Sequence, residues 1–171
     1  NSVSCKDLFN ILVFEFTTPN PIVADVGSGT SGVGYAIRDA SVLCLEPLIN
    51  VFRKIPFYKE NVFEKCKDKM LCKCVGEMLP LRDESLDAVF CLNVLDHCQN
   101  VQTVLEEIGR TLVEGGMLTL YVNVWISRKP LVIELLHPNT MSLRELNELI
   151  EQRHLSVLLK RYVTKSFEGH A

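Results

Sequence analysis

Ile22-Val23-Ala24-Asp25-Val26-Gly27-Ser28-Gly29-Thr30-Ser31-Gly32-Val33-Gly34 is the stretch whose reading decides the fold. Ile22, Val23, Ala24 and Val26 form a short apolar run, rich in β-branched residues, of the kind that suits a strand covered on both faces. The glycines behind it let the chain turn sharply and bring bare backbone N–H groups close to a ligand. The run Val33 to Asp39 is expected to open a helix, whose N-terminus favours a negatively charged group. Strand, glycine turn and helix in succession are the opening of a cofactor-binding α/β unit.

The run supports two readings. Gly27, Gly29 and Gly32 fit G-x-G-x-x-G, and Glu46 follows at the distance expected of a ribose-binding acid, which together suit a nicotinamide dinucleotide. Asp25 tilts the balance the other way. A carboxylate two residues before the first glycine would repel a pyrophosphate, yet would attract an ammonium or sulfonium group, directly or through water. The alternative role for Asp25 is to cap the glycine turn through its backbone amides.

Working outward, the 171 residues fit one domain of ordinary size, with 47% apolar residues to build its core. A net charge of −3 creates no global field toward nucleic acid or anionic lipid. No apolar run reaches the roughly 20 residues of a membrane span, and the N-terminal stretch lacks a signal-peptide layout. The seven cysteines are odd in number and several lie in apolar runs, such as Cys44 and Cys91. They read as reduced structural thiols in a cytoplasmic protein. Cys66, Cys72 and Cys74 lack paired C-x-x-C spacing and a nearby histidine, so no metal site is expected.

Cys5 to Phe16 reads as a helix capped by Ser4, closed by Thr17-Thr18-Pro19-Asn20-Pro21. Strands are expected at Val42 to Leu45, Leu71 to Val75 and Leu86 to Leu92. A helix starting at Leu48 is interrupted by Pro56, and Lys59 to Lys69 reads as charged and mostly solvated. Val101, Val104, Leu105, Ile108 and Leu112 form the apolar face of a helix over Val101 to Val113. Gly115-Gly116 is expected to end it and lead into a strand from Met117 to Val124. Ser142-x-x-Glu145 is a capping box opening a last helix, and Leu155 to Val163 reads as a final strand. The alternation predicts a doubly wound, mostly parallel sheet.

Three blocks now carry a resemblance: Asp25-Val26-Gly27-Ser28-Gly29-Thr30; Leu79-Pro80-Leu81-Arg82-Asp83-Glu84-Ser85-Leu86-Asp87-Ala88-Val89-Phe90; and Asn93-Val94-Leu95-Asp96-His97. In these the chain resembles class I S-adenosylmethionine-dependent methyltransferases, especially the type 11 group that includes ubiquinone/menaquinone-biosynthesis-like enzymes. The match runs from Ile22 to Val124, 103 of 171 residues. The glycine turn alone is unspecific, whereas the L-P-x-x-D-x-S-x-D-x-V-F block at this distance behind it is highly specific. The fold implied is the Rossmann-like methyltransferase sheet. It is a single domain: a cap segment over 1–21, a cofactor-binding core over 22–125, and a substrate-side insertion with the C-terminal helix and strand over 126–171. Only Thr164 to Ala171 follow Val163, too few for the family's last strand. A partner chain or second copy is one way to cover the C-terminal sheet edge.

The resemblance implies that Asp25, Gly27, Ser28 and Gly29 surround the methionine part of S-adenosylmethionine, and that Glu46 accepts both ribose hydroxyls. Pro47 and Leu48 would lie beside adenine, with Gly76, Glu77 and Met78 on its other side. Asn93 would offer a backbone carbonyl to the cofactor amine. Two positions depart from the pattern. Val75 stands where the family often has an acid for the adenine amino group, and Ser31, followed by Gly32, replaces a common third glycine.

Asp87 reads as a strand-start residue supporting the glycine turn rather than as a catalytic acid, and Leu79-Pro80-Leu81 as loop packing. His97 is the one weak candidate for a catalytic base, five residues past the fourth strand with Asp96 beside it; its alternative is a loop histidine that never meets substrate. Tyr121 and Trp125 make no aromatic box, and no N/D-P-P-Y/F block follows the fourth strand. The function implied is transfer of a sulfonium methyl group to a nucleophile, a small molecule or an exposed polymer end. An inactive S-adenosylmethionine-binding subunit and an NAD-dependent oxidoreductase are the alternatives.

Overall fold

The structure is a computed structural model, and it describes residues 18–64, 67–124, 138–139 and 141–152. Five parallel strands form one sheet in the order β3-β2-β1-β4-β5: β1 Ile22–Val26, β2 Ser41–Leu45, β3 Met70–Cys72, β4 Leu86–Leu92 and β5 Leu112–Tyr121. The chain moves outward from β1 to β3, then returns to the other side of β1 with β4. The point of reversal therefore lies between β1 and β4, where open α/β sheets bind their ligands.

Alternation along β1 divides the core. Ala24 and Val26 join a cluster with Val104, Leu105 and Ile108 of helix α3 (Val101–Thr111) and Leu146 of α4 (Leu143–Glu151). Val23 faces the other way, toward Tyr35, Ile37, Ile49 and Phe63. Both faces are thus covered, as the β-branched run requires. Val104, Leu105 and Ile108 are completely buried, each contributing about 1.5–3 kcal/mol relative to exposure. Asn100 caps α3 by accepting from the Thr103 N–H at 3.1 Å. The capping box at α4 forms as expected, with Ser142 Oγ accepting from Glu145 N and the Glu145 carboxylate accepting from Ser142 N.

Several expectations need correction. No helix runs over Val33 to Asp39: a single 3-10 turn forms at Val33–Tyr35. The N–H of Gly34 is taken by the Asp25 carboxylate, and Asp39 at φ +57° turns the chain out of helical geometry. The anion-holding helix terminus therefore does not form there. β3 runs Met70–Cys72 rather than Leu71 to Val75: its last partner in β2 is Leu45, paired with Cys72, whose carbonyl also accepts from Glu46 N at 3.0 Å. Helix α3 passes directly into β5 at Leu112, so Gly115-Gly116 does not end the helix. The glycines lie in an irregularity of β5, where the two steps from Leu86 to Ala88 match the five from Leu112 to Met117.

The helix expected at Leu48 is present as α1 (Ile49–Phe52), and α2 (Pro56–Tyr58) resumes after Pro56 and widens into a π turn at Lys59–Phe63. Lys69 is buried rather than solvated, its ammonium donating to the Ile37 carbonyl at 2.6 Å. Asp87 does begin a strand, but its carboxylate accepts from Ile22 N at 2.7 Å and Thr18 Oγ1 at 3.2 Å. It braces the entry to β1, at the opposite end of that strand from the glycine turn.

The elements expected at Cys5 to Phe16 and Leu155 to Val163, and Trp125, lie outside the described residues. The described cysteines are free thiols, with Cys44, Cys91 and Cys98 buried, and no metal-holding cluster occurs among the described residues. No helix among them is long and apolar enough to cross a membrane.

Candidate cofactor site at the strand ends

The glycine turn is built by the strand ends beside it. Gly27 N and Ser28 N both donate to the Leu45 carbonyl, at 2.8 and 3.2 Å, so the chain leaving β1 folds over the end of β2. Glu46, the next residue of that segment, is buried, and its carboxylate accepts from Gly29 N at 2.9 Å and Leu48 N at 2.8 Å. Each carboxylate oxygen keeps a lone pair for another donor. Tyr35 Oη donates to the Gly29 carbonyl at 3.1 Å and holds the turn from the far side. Sequence reasoning missed Tyr35, and nothing in its spacing distinguishes it from a core aromatic.

Asp25 lies below the turn. It is 2% exposed, and its Oδ2 accepts from Gly34 N at 2.7 Å. Burial pushes its carboxyl up to about 7; the Gly34 N–H pulls it down, and the nearby Glu46 charge raises it. The bond to Gly34 N is an amide contact of the kind a turn-capping aspartate makes. A Cβ on Gly32 would fall on the Asp25 carboxylate, so the glycine beside Ser31 is required by close approach.

Above the turn the surroundings change. Gly29 has φ +54°, and a Cβ added there would meet nothing within 4 Å. Ser28 is buried, and its hydroxyl has no hydrogen-bond partner among the described residues. A buried hydroxyl without a partner costs free energy, which a polar ligand group beside it would recover.

The remaining predicted residues border the same strand ends. Val94 packs against Gly27 and is the side chain a Cβ at that position would strike. Asn93, the residue after β4, has φ +60°, tolerated by asparagine; its N–H donates to Tyr121 O at 2.7 Å and its Oδ1 accepts from Asn123 Nδ2 at 3.0 Å. Gly76 lies against Val104 and Val26. Glu77 is turned toward α3, where its Oε1 accepts from Gln99 N at 2.8 Å and Asn100 N at 3.3 Å. Leu48 and Met78 are exposed and Pro47 is half-buried. His97 follows on a 3-10 turn, with Nε2 3.9 Å from Oδ1 of the buried Asp96. Asn139, beyond the stretch that includes Trp125, donates from its side chain to the Cys98 carbonyl and from its N–H to the Asp96 carbonyl at 3.2 Å.

The sequence profile of the type 11 methyltransferase domain matches residues 24–120, which include the glycine turn, Glu46, the Leu79–Asp87 block and His97. The chain belongs to this family. A human relative named "Probable tRNA methyltransferase 9B" is 29% identical over 110 residues, 61% of this chain but 22% of its own length. The chain therefore spans about a fifth of that relative. Among solved structures, a methyltransferase candidate of Bacillus halodurans aligns at TM-score 0.69 and 18% identity, covering 86% of this chain and 67% of its own. The protein complexed with the Trm112 methyltransferase activator of Haloferax volcanii aligns at TM-score 0.65 and 19% identity, covering 87% and 66%. These likenesses establish the Rossmann-like methyltransferase fold.

Proposed function

We propose that the chain binds S-adenosylmethionine and transfers its methyl group to a nucleophilic acceptor. The observation that carries this reading is the convergence of Glu46, the unpartnered Ser28 hydroxyl and the open approach to Gly29 at one strand end, in a chain of this family. When bound, S-adenosylmethionine would supply an electrophilic sulfonium methyl group that leaves a neutral thioether, so the protein's task is alignment.

Glu46 is assigned to the ribose hydroxyls, which its remaining lone pairs can accept while its backbone bonds hold it still. Gly27, Ser28 and Gly29 line the methionine part, with Asp25 acting from below by fixing Gly34. Pro47 and Leu48 border the base on one side and Gly76, Glu77 and Met78 on the other. The Asn93 carbonyl is assigned to the cofactor amine. One domain is read, with cap, core and insertion at 1–21, 22–125 and 126–171.

The acceptor class is a small molecule or an exposed polymer end. The name of the human relative adds tRNA to the acceptors worth assaying, although the net charge of −3 gives this chain no general attraction to nucleic acid. A cytoplasmic setting is part of the proposal, supported by the buried free thiols. So is a partner chain or second copy at the C-terminal sheet edge, in keeping with the complexed neighbour.

Calorimetry with S-adenosylmethionine, S-adenosylhomocysteine and NAD tests the reading. Binding of the first two is expected; binding of NAD alone would replace the proposal with an oxidoreductase. Turnover on small-molecule and tRNA acceptors then separates an enzyme from an inactive binding subunit. Within that assay, His97→Asn is expected to lower turnover roughly 10²-fold at unchanged cofactor affinity if the imidazole takes the acceptor proton. A rate within a few-fold of the parent would leave alignment as the whole of catalysis.

A further inference from the structure

The run Cys72-Lys73-Cys74 leaves the edge strand β3 beside Glu46, and the cofactor reading gives it no role. Cys72 is the last residue of β3, paired with Leu45 of β2, and its carbonyl accepts from Glu46 N at 3.0 Å. Lys73 is exposed, whereas Cys72 and Cys74 are half-buried and both pack against the core cluster that includes Val104 and Leu105 of α3. The period of two along an extended segment thus puts both thiols on one face of the sheet edge. Burial, with the neighbouring Cys72 and the Glu46 charge adding to it, pushes the Cys74 thiol up to about 12. Cys74 therefore has as neighbours the other thiol and the carboxylate that accepts from Gly29 N.

We propose that Cys72 and Cys74 form a redox-sensitive pair, closed to a disulfide by a small-molecule disulfide such as oxidised glutathione, and that closure weakens the cofactor site through Glu46. The effect on binding rests on the S-adenosylmethionine reading of that site. The Cys72 thiolate attacks one sulfur of the oxidant, breaks its S–S bond and releases one thiolate. Cys74 then loses its proton, attacks the Cys72 sulfur and releases the second. Two protein thiols are oxidised, the oxidant is reduced to two thiols, and the two protons pass to the leaving thiolates. Cys74, which holds its proton tightly, is the second to react. At the strand rise of about 3.3 Å per residue, two steps span about 6.6 Å, beyond the commonest disulfide spacing of about 5.5–6 Å. Closure therefore draws Cys72 toward Cys74, and with it the carbonyl that holds Glu46 N.

The whole chain is treated with oxidised glutathione, alkylated and digested with trypsin. Trypsin cuts after Lys73, so only a disulfide keeps the peptides over 70–73 and 74–82 joined. Joined peptides that separate on reduction are expected. Titration calorimetry with S-adenosylhomocysteine is expected to show affinity about fivefold or more lower in the oxidised chain, recovered with dithiothreitol. The double variant Cys72→Ser, Cys74→Ser is expected to show one affinity before and after treatment. Unjoined peptides overturn the proposal, and so does an unchanged affinity in the joined chain or an equal loss in the double variant. Failure of the reduced chain to bind S-adenosylhomocysteine is a different result: it removes the cofactor reading and the effect on binding, and the peptide map then decides the disulfide by itself.

Discussion

The glycine turn over Gly27–Gly34 and the loop over Leu79–Ser85 both lie in stretches that carry the family resemblance, and they are built in opposite ways. The loop is closed on itself. The Arg110 guanidinium donates to the Leu79 and Leu81 carbonyls, to Asp83 and to Glu107, while Glu107 also accepts from Leu79 N. Ser85 Oγ donates to the Arg82 carbonyl, and Ser85 N to that of Thr111. The Arg110 contacts hold the Glu107 carboxyl below its usual range. The glycine turn is anchored from below by Asp25 and Tyr35, yet it leaves the Ser28 hydroxyl without a described partner and free space at Gly29. The more specific signature is thus a brace, and the less specific one is where a ligand can enter. Motif specificity and functional contact are separate properties.

That contrast can be broken most sharply at Gly29. Gly29→Val is expected to weaken S-adenosylhomocysteine binding by about a hundredfold or more, since a branched side chain would fill the approach to the turn. Stability should fall only by the cost of a positive φ, because no protein atom lies in the way. Normal binding by a folded Gly29→Val protein would move the site away from the turn. Glu46→Ala should follow at about tenfold weaker binding or more, through loss of the ribose acceptor and loosening of Gly29 and Leu48. Unchanged affinity in calorimetry would end the ribose assignment.

On the closed side, Arg110→Ala should do the reverse. Its thermal midpoint is expected to drop by roughly 4 °C or more, with cofactor affinity within about threefold. A large loss of binding at unchanged midpoint would mean that the loop, too, belongs to the site.

The smallest effect is expected at Asp25, and it depends on pH. Its folded-state value of about 7 exceeds that of the unfolded chain, so the native state holds the proton more tightly. The stability this provides is fully present below about pH 4 and is lost as pH rises through about 7. Asp25→Asn keeps an acceptor for Gly34 N without the charge, so its midpoint should exceed the parent's by roughly 2–5 °C at pH 8 and approach it at pH 4. An equal difference at both pH values would remove the titration from the account.

Much of this was legible in the chain before any coordinates. The limits of β4, the apolar face of α3 and the capping box at Ser142 depend on local spacing, which periodicity and side-chain chemistry report directly. The sequence expected Glu46 beside the glycine turn from its spacing behind the glycines, and its carboxylate does meet Gly29 N there. The helix expected after Val33 is replaced by a single 3-10 turn, with Gly34 N on a buried carboxylate nine residues upstream and Asp39 at φ +57°, features that no local pattern contains.

The sequence by itself determined the parallel, doubly wound class, the family and the segments that meet at the strand ends. Only the tertiary structure decided how each carboxylate is used: Asp25 under the turn, Glu46 within it, Glu77 on α3 and Asp87 at the entry to β1. The physical reason is range. Strand and helix patterns follow from neighbours a few residues apart, whereas a carboxylate's role depends on which N–H groups folding brings within 3 Å of it, and those lie from 2 to 65 residues away.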